Sequence, residues 1–146
     1  DCILSLCDCM NYLIEDGQLE SAFQSIAAHM KKESLFLFDM NTEYKFREVL
    51  GQKVFGAAEE AAAYIWENDY DEEEKINEYY VSFFIEQENG LYERVEEYHY
   101  ERAYSIEEIE QALQAAGLAL LEVTDGYCFA PPQERSERLL FTAKLK

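Results

Sequence analysis

Five consecutive residues, Tyr98-His99-Tyr100-Glu101-Arg102, include side chains able to read a small ligand. Arg102 can clamp a carboxylate through two parallel hydrogen bonds, and Tyr98 and Tyr100 can orient a ligand or build a cation–π cage around an amine. His99, one of two histidines in the chain, could accept a proton from a nucleophilic amine or hydroxyl. The competing reading pairs Arg102 and His99 with neighbouring glutamates. A second polar set, Asp39, Asn41 and Thr42, follows the apolar run Leu35-Phe36-Leu37-Phe38. Polar residues at the carboxyl end of a parallel strand find the ligand crevice more often than the core, although capping of a following helix would also use them. Other chemistries lack their motifs: there is no Ser/His/Asp order with supporting sequence, no C-x-x-C, no H-E-x-x-H and no phosphate loop. Cys7 and Cys9 alone, without partner His or Cys spacing, do not make a metal site.

The elements that must position these residues follow from periodicity. Asp1 opens directly into the apolar run Cys2-Ile3-Leu4, and a polar turn follows at Cys7-Asp8-Cys9. Over residues 18–30 the apolar positions Leu19, Ala22, Phe23, Ile26, Ala27 and Met30 recur at spacings of three and four, which predicts an amphipathic helix. With the short run 35–38 as a strand covered on both faces, residues 1–38 form a βαβ unit. Residues 44–50 predict a short helix stopped by Gly51. The stretch 62–104 alternates Tyr, Phe, Val and Ile with acids and carries turn signals at Asn68-Asp69 and Asn89-Gly90. It predicts three antiparallel strands over about 62–70, 75–87 and 91–104. In the last of them Tyr92, Arg94, Glu96, Tyr98, Tyr100 and Arg102 share one face, and Leu91, Glu93, Val95, Glu97, His99 and Glu101 the other. The first set, aromatic and basic, is the expected ligand-facing side. Trp66 reads as core. Ser105 and Glu108 form a capping box before a helix that Gly117 ends, and 118–123 and 139–145 predict an antiparallel strand pair.

Composition narrows the class. The 146 residues suffice for one packed domain. With 31 acidic against 12 basic residues, a net charge of −19 disfavours direct contact with nucleic acid or anionic membrane, because phosphate binding draws on clustered Lys and Arg. Four cysteines, three of them crowded at positions 2, 7 and 9, do not suit a disulfide framework and fit a cytoplasmic protein. No apolar run approaches the roughly 20 residues of a membrane-spanning helix.

Strand, helix, strand, antiparallel insertion, helix, strand, long loop, strand is the order in which the second half of a class I S-adenosylmethionine-dependent methyltransferase is built, and local sequence resembles that family too. The matching segments are Asp1-Cys2-Ile3-Leu4 with Cys7-Asp8-Cys9-Met10-Asn11-Tyr12-Leu13, then Leu35-Phe36-Leu37-Phe38-Asp39-Met40-Asn41-Thr42. They continue with Ile65-Trp66-Glu67-Asn68, the run from Glu96 to Ser105, and Ser136-Glu137-Arg138. They look like a bacterial small-molecule branch, from its fourth strand onward.

The resemblance implies an α/β, Rossmann-like sheet with an antiparallel insertion over about 62–104 that lids the crevice of one domain portion, 1–146. It implies S-adenosylmethionine as methyl donor, lying beside Cys7, Asp8 and Cys9, although both cysteines also suit small buried positions. Asn11 and Tyr12 would look toward a small-molecule acceptor, joined by Asp39, Asn41, Tyr98, Tyr100 and Arg102, with His99 as the proton acceptor. Helix capping by Asn11 and core packing by Tyr12 are the structural alternatives. The assembly state is left open, a homodimer among the options. The family's glycine-rich turn and the acid that ends its second strand are absent from this sequence. The expectation is therefore a carboxy-terminal portion of a longer protein. A binding module that kept the half-fold, or another nucleotide-binding α/β enzyme such as a dehydrogenase, are the rivals.

Overall fold

The computed structural model describes all 146 residues and divides them between two four-stranded sheets. In the first, β1 (Cys2–Ser5) pairs parallel with β2 (Leu35–Asn41) and is joined to it through α1 (Gln18–His29). The remaining strands, β7 (Leu118–Asp125) and β8 (Arg138–Leu145), complete the order β1-β2-β8-β7, with β8 antiparallel to both neighbours. The second sheet is an antiparallel meander of β3 (Val54–Ala58), β4 (Ala62–Asp71), β5 (Ile76–Glu86) and β6 (Tyr92–Arg102). The βαβ unit, three antiparallel strands of the insertion (β4–β6) and the antiparallel β7–β8 pair are as the sequence predicts.

The main core lies between the first sheet and the apolar stripes of α1 and α2 (Ile106–Ala115). Phe23 packs against Phe36 and Phe38, and Phe38 stacks on Phe141 with centroids 4.9 Å apart. All four rings are completely buried, each contributing about 2–3 kcal/mol of hydrophobic stabilisation. A smaller core of Phe46, Leu50, Tyr70, Tyr79 and Ala103 attaches the second sheet to the body. The capping box of α2 is complete: Glu108 N–H donates to Ser105 Oγ at 3.1 Å and Ser105 N–H to Glu108 Oε2 at 2.7 Å. Ser105→Ala is expected to lower stability by about 1 kcal/mol in urea denaturation.

Three local departures matter for the site. First, β2 does not end at Phe38 but continues through Asn41, because Asp39 and Asn41 are held in the ladder opposite Leu140 and Arg138. Second, residues 45–50 wind as a wide turn closed by Gly51 N–H donating to Phe46 C=O, an i→i+5 bond. Gly51 has φ 45°, and a Cβ there would sit 2.7 Å from the Arg47 carbonyl, so glycine is required. Third, the insertion has four strands. β3 escaped prediction because Gly56-Ala57-Ala58 has weak strand propensity, yet Gly56 lets the β4 backbone approach closely. Asn68-Asp69 lies inside β4; the acidic turn is made further on, where Asp71 Oδ1 accepts from Glu73 and Glu74 N–H.

Candidate active site

The crevice opens where the carboxyl ends of β1 and β2 meet the inner face of the second sheet. Its cavity, about 250 Å³, is lined by Asp8, Tyr12, Trp66, Tyr79, His99 and Glu101, among others. Between Ser5 and the short turn Cys9–Tyr12, the chain places two successive non-glycine residues, Cys7 and Asp8, at φ 61° and 55°. That left-handed conformation costs of order 1 kcal/mol per residue and persists only when its surroundings hold it. Here Asp8 is tied by the Asn41 amide at 2.5 Å and by Arg138 at 3.4 Å.

Asn41 organises the floor. Its Nδ2 donates to Asp8 Oδ2 and, at 3.0 Å, to Glu101 Oε2, while its Oδ1 accepts from Lys45 Nζ at 2.9 Å. Two carboxylates thus share one end of an amide whose other end is held by an ammonium. Burial, reinforced by the Asp8 charge, pushes the Glu101 carboxyl up to about 7. Burial also lowers the Lys45 pKa, with the Arg138 charge adding to it, and raises that of the Tyr79 hydroxyl, with the Glu101 charge adding to it. On the rim, Tyr12 Oη lies 3.3 Å from His99 Nδ1, the two rings edge to face, and Glu97 lies 3.3 Å from His99 Nε2. Trp66 is partly buried among the small core and also forms a wall of the cavity; its indole N–H is shielded and has no hydrogen-bond partner.

The structure brings together Asp8, Tyr12, Asn41 and His99, as the sequence expects, and redistributes the rest. The ligand-facing side of β6 is corrected: the crevice receives His99 and Glu101, whereas Tyr98 and Tyr100 turn to the opposite face. There Tyr98 stacks on Tyr80 at 4.8 Å and Tyr100 donates to Glu78 at 3.1 Å. The pleat decides this, because Glu101 and His99 pair across the sheet with Asn77 and Tyr79, which face the body. Arg102 lies outside the crevice as well. It donates to Ile14 C=O and Asp16, lies over the Tyr104 ring at 5.0 Å, and so locks the end of β6 to the segment before α1.

Asn11 is fully buried and neither caps a helix nor reaches the crevice. Its amide donates to the carbonyls of Asn41 and Arg102 and accepts from Asn41 N–H, so all its polar capacity stitches the two sheets. Asp39, at 0% exposure, is an interior partner of Arg138 rather than a crevice residue. Thr42 takes the capping role, accepting from Lys45 N–H and donating to Ser136 C=O. Cys7 and Cys9 are exposed beside the strained turn, not buried.

Sequence reasoning passed over Glu101, Lys45, Tyr79 and Arg138. For Glu101 the signal was present: it sits two residues from His99 on the same strand face.

A cofactor presented at the end of β1 would fit what is seen there. The strained turn bears two exposed thiols and an anchored carboxylate at the ligand-binding edge of an α/β sheet.

No protein-family model matches the chain. A protein of Geobacillus sp. strain WCH70 with a provisional methyltransferase name is 33% identical over 144 residues, which is 99% of this chain and 58% of that protein. YqeM of Bacillus subtilis strain 168, also provisionally named a methyltransferase, is 32% identical over 145 residues with the same coverage. The chain therefore spans somewhat over half the length of the curated relatives it matches. Among solved structures, an S-adenosylmethionine-dependent methyltransferase from Clostridium acetobutylicum ATCC 824 superposes with a TM-score of 0.90 at 33% identity, over 99% of this chain and 58% of that one. CalS10 of Micromonospora echinaspora, an amino pentose methyltransferase, shares the fold at TM-score 0.74 and 17% identity, again over 99% and 58%. In sequence and in fold, this chain corresponds to the carboxy-terminal portion of a class I S-adenosylmethionine-dependent methyltransferase.

Proposed function

We propose that the chain supplies the acceptor-binding part of an enzyme that transfers a methyl group from S-adenosylmethionine to a small molecule. The observation that carries this reading is the juxtaposition of the strained Cys7-Asp8 turn with an aromatic-walled cavity whose floor holds Glu101, a proton acceptor poised near neutrality. A cavity of about 250 Å³ suits a small acceptor rather than a polymer. Fold neighbours that include an amino pentose methyltransferase and the sugar N-methyltransferase KedS8 support the same size class.

The donor supplies a methyl group already activated on a sulfonium, so the protein has mainly to bind, align and exclude water. Asp8, with the backbone of Cys7 and Cys9, holds the donor's side of the crevice. Tyr12, His99, Trp66 and Tyr79 enclose the acceptor. Glu101, oriented by Asn41, takes the proton the acceptor gives up; His99 on the rim is the second candidate for that role.

No helix is long and apolar enough to cross a membrane. We assign the protein to the cytoplasm, where four exposed thiols stay reduced.

Calorimetric titration of S-adenosylmethionine into the intact gene product, with this 146-residue chain as comparison, tests the reading. Micromolar binding by the intact protein, at least about tenfold weaker by the chain alone, is expected. Absence of binding by the intact protein would overturn it.

A further inference from the structure

We propose that the acceptor is an amine, which arrives as an ammonium ion and seats against Glu101 and Asp8 between the rings of Tyr12, Trp66 and Tyr79. The inference rests on the methyltransferase reading and names its substrate class.

The buried carboxylates of the chain are neutralised unequally. Asp39, fully buried, has the Arg138 guanidinium. Glu101, only 3% exposed, takes part in no ion pair; the Asn41 amide donates to it, and the Tyr79 hydroxyl and the more distant Lys45 charge offset only part of its burial. Lys45, the cation on the same floor, donates to the oxygen end of that amide, while Glu101 and Asp8 share the nitrogen end. A buried carboxylate without a cation is costly, and a positively charged ligand group removes that cost. A second carboxylate on the same amide, Asp8, only partly offset by Arg138 at 3.4 Å, attracts a cation more than it does a neutral hydroxyl, which can offer it a hydrogen bond but no charge. The aromatic lining completes the match, because the negative faces of Trp and Tyr rings attract an ammonium.

An amine also satisfies the proton balance. As an ammonium it has no lone pair and cannot accept a methyl group. The N–H bond breaks toward Glu101, an O–H bond forms on the carboxylate, and the electron pair left on nitrogen is the one that forms the N–C bond of methylation. The buried carboxylate thus serves first as anchor and then as base, without moving.

Trp66, the single tryptophan of this chain, forms a wall of the cavity, so the part of the intact protein's tryptophan fluorescence that Trp66→Phe abolishes reports occupancy without donor or turnover. Benzylamine and benzyl alcohol, matched in shape and differing in the charged group, are the probes. Benzylamine is expected to quench Trp66 saturably at one tenth or less of the concentration that benzyl alcohol requires. Glu101→Gln should raise the benzylamine midpoint about tenfold and leave that of benzyl alcohol unchanged; Asp8→Asn should act in the same direction more weakly. Equal midpoints for the two probes in the unaltered intact protein, or equal weakening of both by Glu101→Gln, would overturn the inference. The comparison of the two probes in the unaltered intact protein does not depend on the folding of Glu101→Gln. Donor binding by the intact protein without amine preference removes the amine and leaves the methyltransferase standing. Amine preference without donor binding does the reverse.

Discussion

Glu101→Gln is expected to reduce methyl transfer by at least about a hundredfold, leave donor affinity unchanged, and stabilise the fold above pH 7. The two effects share one cause. Glu101 is buried beside Asp8 and its carboxyl is pushed up to about 7, whereas in the unfolded chain it titrates near 4. Below pH 4 both states hold the proton and the group is neutral in its effect. As pH rises from there to 7, the unfolded chain releases the proton while the folded chain keeps it, so stability falls. Above 7 the penalty is constant at about 3 kcal/mol. Glutamine does not titrate and still accepts the Asn41 hydrogen bond, so the variant should gain up to that amount at pH 8 and nothing at pH 4. Activity runs the other way. Only the carboxylate can take a proton, so kcat/KM of the intact protein should rise through about pH 7, and the variant should lose that limb. Thermal denaturation at pH 4 and pH 8 together with the pH–rate profile checks both halves. An unchanged profile in the variant would remove Glu101 as the base.

Arg138→Met is expected to cost about 3–5 kcal/mol, the largest stability loss of any single substitution proposed for this chain. Arg138 reaches Asp39 with Nη1 and Asp8 with Nη2 at 3.4 Å. Its removal leaves Asp39 charged at 0% exposure, with Oδ1 already lacking a hydrogen bond. For a chain of this size the loss corresponds to a fall in Tm on the order of 10 °C. Asp39→Asn in the same background should recover part of it, because most of the penalty comes from the orphaned charge rather than from the lost pair. A double-mutant cycle in urea measures that coupling. A cost under about 1 kcal/mol for Arg138→Met would show that the pair does not hold β2 to β8. Loss of Arg138 also frees one restraint on Asp8, so donor affinity of the intact protein should weaken in the same variant.

Much of the fold is legible in the sequence because it depends on local patterns that tertiary contacts reinforce. Leu19, Phe23 and Ile26 recur at helical spacing, Ser105 and Glu108 close a box within one turn, and Asn89-Gly90 marks the β5–β6 hairpin. What depends on neighbours remote in sequence was not legible. Strand β3 forms because β4 offers a ladder to a segment of weak propensity. Asp39 remains in β2 only because Arg138, 99 residues away, neutralises it.

The site divides along the same line. Strand-end position made Asn41 a candidate and residue type made His99 one, while Asp8 and Tyr12 entered through the family resemblance. The alternation of β6 was also readable, with His99 and Glu101 on one face and Tyr98, Tyr100 and Arg102 on the other. Which face turns inward was not, because both carry polar and apolar residues. That choice was made by Asn77 and Tyr79 across the strand pair, and by Asn11, whose amide binds the carbonyls of Asn41 and Arg102. Local sequence patterns carried the order of the elements apart from β3, and with it the inventory of chemically able side chains. Remote contacts settled which of them meet, and by burying Glu101 beside Asp8 without an ion-pair partner they turned an ordinary glutamate into the group on which the proposed chemistry depends.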